Sequence, residues 1–189
     1  MKKKIVKLFE EKLINPVLHS RSPVSEVSLG VAVGVFLGLT PTVGVQMYLV
    51  ILTWSIYRYI FRRHFNLPVG VAMVWISNPL TMVPLYYLFL VTGYWILETQ
   101  NGLTYESFEG TLTRISETAG TWEKILGGVH FLLIDIGWPM VIGGFVYGVP
   151  GFLISYFVTK RIVISHRKRK ARIAGMSYED WRTQNETEH

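Results

Sequence analysis

Six polar side chains stand beside prolines inside stretches that carry no charge: Thr40, Thr42 and Gln46 around Pro41, and Ser77, Asn78 and Thr81 between Pro79 and Pro84 or just before them. Their hydroxyls and amides can hold a polar solute by hydrogen bonds. They can equally take up the backbone groups that an interior proline frees, each such proline costing a helix about 3 kcal/mol. In hydrocarbon a freed backbone group persists only where protein or a water-filled cavity gives it a partner. The six residues are therefore the expected substrate-binding set, and Pro41, Pro79 and Pro84 the expected helix breaks. Satisfied carbonyls and nothing more is the competing reading.

Asp135 is the carboxylate of the third apolar run, and an ionised Asp at the centre of a spanning helix costs about 2.5 to 3.5 kcal/mol on insertion scales. That makes it a candidate for proton coupling. A helix starting at Lys124 would bring it about 16 Å into the membrane at 1.5 Å per residue, whereas a break at Gly127-Gly128 would leave it shallow. His130 lies roughly 140° around the helix from Asp135 and is read as an interfacial histidine. The chain has no cysteine, which excludes disulfides, thiolate metal sites and cysteine nucleophiles. No zincin pair, nucleophile elbow or nucleotide loop is present. The reading is a protein without catalytic residues, metal or cofactor, and not an enzyme.

The elements that must carry these residues are three long runs. Of 189 residues, 50% are hydrophobic and 17% charged, against about 25% charged in an ordinary soluble domain. Val27 to Tyr57 and Phe65 to Leu97 hold no charge, and Ile125 to Thr159 holds only Asp135 with the titratable His130. A span needs about 20 apolar residues, so each run exceeds one simple crossing. Basic residues gather at Lys2 to Arg21, Arg58 to Arg63 and Lys160 to Arg182, which favours the cytoplasmic side for both termini and for the middle loop. The segment from Glu98 to Lys124 is rich in glutamate and is read as outside. The first run then forms a re-entrant or full hairpin turning at Thr40 to Gly44, the second crosses as an interrupted helix, and the third returns. With the glutamate-rich segment inside, all three runs would be hairpins.

Between and around the runs the patterns are amphipathic. Ile5, Leu8, Phe9 and Leu13 share one helical face, as in an interfacial helix or one packed on the domain; Glu10, Glu11 and Lys12 argue against a cleavable signal. Ser22 and Pro23 read as N-cap and first-turn residues of the next helix. Gly30, Gly34 and Gly38 recur every four residues, and Gly144 and Gly148 repeat the device, the spacing of helix packing in membranes. A shift of 38 positions lays Pro41 on Pro79 and Tyr48 on Tyr86, which reads either as a weak internal repeat such as transporters carry or as chance identity in apolar sequence; the charge-derived topology opposes the repeat's inverted form. Trp54, Tyr57 and Tyr59 with Arg58 and Arg62 form an interfacial belt. Tyr105, Phe108, Leu112 and Ile115 suggest a surface helix. The cluster Arg167 to Arg172 suits anionic lipid and not nucleic acid.

The stretch Trp75-Ile76-Ser77-Asn78-Pro79-Leu80-Thr81-Met82-Val83-Pro84-Leu85-Tyr86-Tyr87, preceded by Leu29 to Gly38 and Pro41 and followed by Pro139, Gly143, Gly144 and Tyr156, resembles the bacterial domain of unknown function 2062 family over about Pro23 to Thr159. The resemblance implies a small inner-membrane protein of Gram-negative type and brings no activity, substrate or catalytic residue. Related domains joined to glycosyltransferases place it in the context of the cell envelope or lipid-linked sugars.

The expected architecture is an all-α membrane protein, a compact helical bundle with proline-broken or re-entrant helices. A cytoplasmic amphipathic segment covers residues 1–22, the membrane domain 23–160 with an amphipathic insert at about 98–124, and a basic cytoplasmic tail 161–189. The expected function is binding or transport of a small polar or amphipathic solute, or a lipid headgroup, at the paired breaks. The alternative is a scaffold or assembly factor for an envelope enzyme. Expected partners are the bilayer, with anionic lipid at the basic termini, and either a second copy of the chain or an envelope enzyme.

Overall fold

The computed structural model describes residues 13–42, 45–98 and 136–186. Most of the N-terminal amphipathic segment, Gly44, the insert from residue 99 onward, His130 and Asp135 lie outside the described residues. Every described element is a helix: α1 (Asn15–Leu18), α2 (Val24–Gly38), α3 (Gln46–Phe61), α4 (Leu67–Met73) running into a 3-10 turn (Val74–Ile76), α5 (Pro79–Ile96), α6 (Trp138–Ile173) and α7 (Tyr178–Asn185). The all-α expectation is met. α6 is long and apolar enough to cross a membrane, Leu67–Ile76 and Thr81–Ile96 are so only when taken together, and α2 is shorter. The chain divides into two compact units, Met1–Asn78 with Gly148–His189, and Pro79–Tyr147.

In the first unit, glycines decide which helices touch. A Cβ at Gly30 would lie 2.6 Å from the carbonyl oxygen of Asn66, one at Gly34 would fall on the carbonyl oxygen of Gly70 and on Met73, and one at Gly38 would lie 3.5 Å from Val74. The expected small-residue face of α2 is therefore spent on α4 and the turn after it. Close approach lets Val27, Val31 and Val35 of α2 bury against Val69 and Met73, joined by Val17 and by Val163 of α6. On the other side Val33, Val50, Phe65 and Val74 form a second cluster. A Cβ at Gly148 would lie 3.2 Å from the Phe36 ring.

The breaks fall close to where the prolines placed them. α2 stops at Gly38, the Leu39 amide donating to Val35 O at 2.9 Å and that of Thr40 to Leu37 O at 3.2 Å, and α3 begins five residues after Pro41. The second run breaks at Ser77-Asn78, between the 3-10 turn and α5. Two local expectations fail. Pro84 does not break a helix but sits inside α5; its ring removes one amide near the helix start, a loss the rest of the helix carries. Ser22 does not cap α2. Pro23 takes that position without a side-chain cap, and the Ser22 hydroxyl accepts from Asn66 Nδ2 at 2.9 Å.

The second unit is built from α5 and the start of α6. Gly93 abuts the Pro139 carbonyl and Gly143 that of Phe89. Phe89 stacks between Tyr86 and Tyr147, both at 5.9 Å, and the hydroxyls of Thr92 and Tyr147 meet at 2.9 Å.

Candidate functional site

The polar groups at the breaks are drawn into the fold. Thr40 Oγ1 donates to Leu37 O at 2.7 Å and lies 3.0 Å from Thr42 Oγ1. Gln46 Nε2 donates to Ser77 Oγ at 3.0 Å, bridging the first break to the second across 31 residues. Asn78 Nδ2 donates to Trp75 O at 3.2 Å. Thr40 and Gln46 are buried. Five of the six expected binding residues thus meet freed carbonyls or each other, while Thr81 belongs to the second unit. A buried hydroxyl that loses its partner costs about 1 to 3 kcal/mol. Gln46→Leu should therefore lower unfolding stability in detergent by about 1–2 kcal/mol, and an unchanged melting curve would refute the Gln46–Ser77 bridge.

A cavity of about 770 Å³ opens elsewhere in the first unit, where the start of α2, the end of α3 and the middle of α6 converge. Arg62, Arg63, His64 and Glu26 give it a polar side, and Leu29, Tyr57, Phe152, Leu153, Tyr156 and Phe157 an apolar and aromatic one. A second cavity of about 610 Å³, lined by Trp54, Arg58, Arg62 and His64, shares Arg62 and His64 with the first.

The turn that presents the basic residues is fixed from several directions. Arg62 ends α3 in the left-handed region, φ 51°, which side chains other than glycine adopt only when their surroundings demand it. Those surroundings are at hand. Phe65 is buried at 2% exposure, and Trp54 Nε1 donates to its carbonyl at 3.0 Å. The Asn66 amide donates to Glu26 O at 3.0 Å. Asn66 also caps α4, its Oδ1 accepting from the Val69 amide at 3.0 Å, while its Nδ2 donates to Ser20 Oγ at 2.8 Å.

Within the cavity His64 Nε2 lies 3.4 Å from Glu26 Oε1. The Arg58 guanidinium stands over Trp54, 5.1 Å from the ring centre. Among the described residues no carboxylate pairs with Arg62 or Arg63, and no cluster of three His, Asp or Glu could hold a metal. The arrangement can neutralise an anion at one end and cover an apolar body at the other.

Sequence reasoning placed Tyr57, Arg58 and Arg62 in an interfacial belt and Arg63 among the topology-setting charges, and it gave Glu26 and His64 no role. The signal was the run Arg62-Arg63-His64 directly after an aromatic helix end. What was missing was the neighbour, because Phe152 to Phe157 lie about ninety positions further on.

Below this turn a second polar node ties the chain together. Arg167, 2% exposed, donates from Nη2 to Ser20 O at 2.9 Å and Ser22 O at 2.8 Å, and from Nη1 to Glu186 at 2.5 Å. The polybasic cluster is thus not uniformly solvated: Arg167 is structural, while Lys168 and Arg169 remain exposed.

Fold and site define an all-helical protein with charge-poor helices and a basic, aromatic-walled cavity at one helix-end level. The chain belongs to the family described as "Uncharacterized protein conserved in bacteria (DUF2062)", whose match covers residues 6–172. No curated protein and no solved structure matches it.

Proposed function

We propose that this is a multi-pass protein of the bacterial inner membrane, both termini cytoplasmic, that binds the head of an anionic amphiphile in the cavity beside Arg62, Arg63 and His64. It acts as a binding protein and not as an enzyme. The observation that carries this is the cavity itself, with guanidinium and imidazole groups facing one side and leucine and aromatic side chains the other.

Membrane placement draws support from the outward surfaces. Tyr48, Leu52, Tyr59 and Ile60 on α3, Val149 and Ile154 on α6 and, in the second unit, Val83, Tyr87 and Trp95 on α5 are exposed, and large apolar side chains left at the surface suit contact with lipid. The cavity wall on α6 ends at Phe157, directly before the cationic stretch that begins at Lys160. That level suits a headgroup on the cytoplasmic side. Transport through the breaks has less support, since five of their six polar side chains are engaged within the first unit. The scaffold reading loses the α2 glycines, which face α4.

The test uses protein purified in a neutral detergent and titrated with short-chain lipids. Phosphatidylglycerol should raise the melting temperature more than phosphatidylcholine of the same chain length. A charge-assisted hydrogen bond contributes about 1.5–3 kcal/mol, so the Arg62→Asn/Arg63→Gln variant should lose at least about tenfold in phosphatidylglycerol affinity. Asn keeps the left-handed conformation at 62 accessible. Equal affinity of the wild type for both lipids would sink the reading.

A further inference from the structure

We infer that the cavity selects a phosphomonoester lipid, an amphiphile whose head ends in a terminal phosphate and whose chain lies along the aromatic wall. This rests on the reading of the cavity as an amphiphile site and names the head it takes.

Charge count is the first argument. Arg62 and Arg63 border the larger cavity and Arg58 the adjoining one, and Arg62 and His64 border both. The acid among these described lining residues is Glu26, whose Oε1 lies 3.4 Å from His64 Nε2. Among the described residues the two adjoining cavities are thus lined by three arginines and one carboxylate. A zwitterionic head would bring a further cation into this field. A phosphodiester would bring one negative charge and two free oxygens. A phosphomonoester carries about −1.5 to −2 near neutral pH and three acceptor oxygens. Arginine presents paired donors in a planar fork that matches two such oxygens at once, so neighbouring arginines can share one phosphate.

Shape is the second argument, and it decides between a lipid and a soluble phosphate. A cavity of about 770 Å³ is far larger than a phosphate, and Leu29, Phe152, Leu153 and Phe157 along its side offer nothing to a sugar or glycerol phosphate. These residues suit a hydrocarbon chain. Arg58 lies over Trp54, 5.1 Å from the ring centre, a cation–π contact that holds its charge beside the smaller cavity.

The experiment compares three probes on the full chain in neutral detergent: dioctanoyl phosphatidic acid, its phosphate methyl ester, and glycerol 3-phosphate. The methyl ester keeps both chains and removes one charge and one free oxygen. Phosphatidic acid should bind at least about tenfold more tightly than the methyl ester, since one lost charge-assisted hydrogen bond corresponds to that factor or more. Glycerol 3-phosphate should bind more weakly than either lipid. Arg63→Gln should bring the ratio between the two lipids close to one; because Arg63 is exposed, the variant should melt as the wild type does. Equal affinity for phosphatidic acid and its ester, with both above phosphatidylcholine, overturns the phosphomonoester inference and leaves amphiphile binding standing. Affinity no better than for phosphatidylcholine overturns both. Glycerol 3-phosphate binding as tightly as phosphatidic acid overturns the lipid source, and a ratio unchanged in Arg63→Gln overturns the assignment of the guanidiniums.

Discussion

Arg167→Ala should lower the unfolding free energy by about 3–5 kcal/mol, the usual result of removing one partner from a buried ion pair. The guanidinium is 2% exposed and its partner Glu186 5%. Deleting it strands Glu186 with the largely exposed Arg182, and it leaves Ser20 O and Ser22 O without their donor. Arg167→Lys keeps the charge but cannot reach both carbonyls and the carboxylate at once, so it should fall between. Arg182→Ala is the control: its side chain is 56% exposed, and a pair of that kind contributes about 0–1 kcal/mol. Glu186→Gln should soften the effect of Arg167→Ala, so that the double variant loses less than the two single losses added. Chemical or thermal unfolding in one detergent measures all five. If Arg167→Ala and Arg182→Ala melt together, the node contributes nothing.

Gly34→Val should be comparably damaging, costing about 3 kcal/mol or more, because extra atoms would press on backbone and not on a movable side chain. The Cβ itself would fall on the Gly70 carbonyl oxygen and 2.5 Å from Met73 Cβ. Either α2 and α4 separate, opening the cluster around Val31 and Val69, or the helices bend. Gly34→Ala already carries the clashing atom and should destabilise strongly as well. Gly38→Ala should behave in the opposite way. Its Cβ would meet Val74 at 3.5 Å, ordinary contact distance, and replacing a helical glycine gains about 0.5–1 kcal/mol. Melting temperatures of the three variants should order Gly38→Ala at or above wild type, then Gly34→Ala, then Gly34→Val. A Gly34→Val protein that melts with the wild type would contradict the close approach of α2 to α4.

The break positions were legible because they depend on short-range chemistry. Proline lacks a backbone N–H wherever it sits, so Pro41 lies in a connection and Pro79 opens α5. Pro84 shows the limit: one missing amide near a helix start is tolerable, and its position in the helix decides the outcome. The small-residue face of α2 was legible from its spacing, but not that α4 would fill it. A glycine stripe shows that something comes close and is silent on what does.

The candidate site divides along the same line. By itself the sequence determined the helical class, the charge-poor runs, the break points and the basic turn at Arg58 to Arg63, since each follows from local composition, period or a missing amide. Only the tertiary structure decided that Gln46 spends its amide on Ser77, that Arg167 is buried beneath Ser20 and Ser22, and that Arg62, Arg63 and His64 face Phe152 to Phe157 across one cavity. Those pairings join residues up to 147 positions apart. A hydrophobic pattern fixes which side of a helix turns inward but not which helix it meets, and that choice gave the basic turn an aromatic wall.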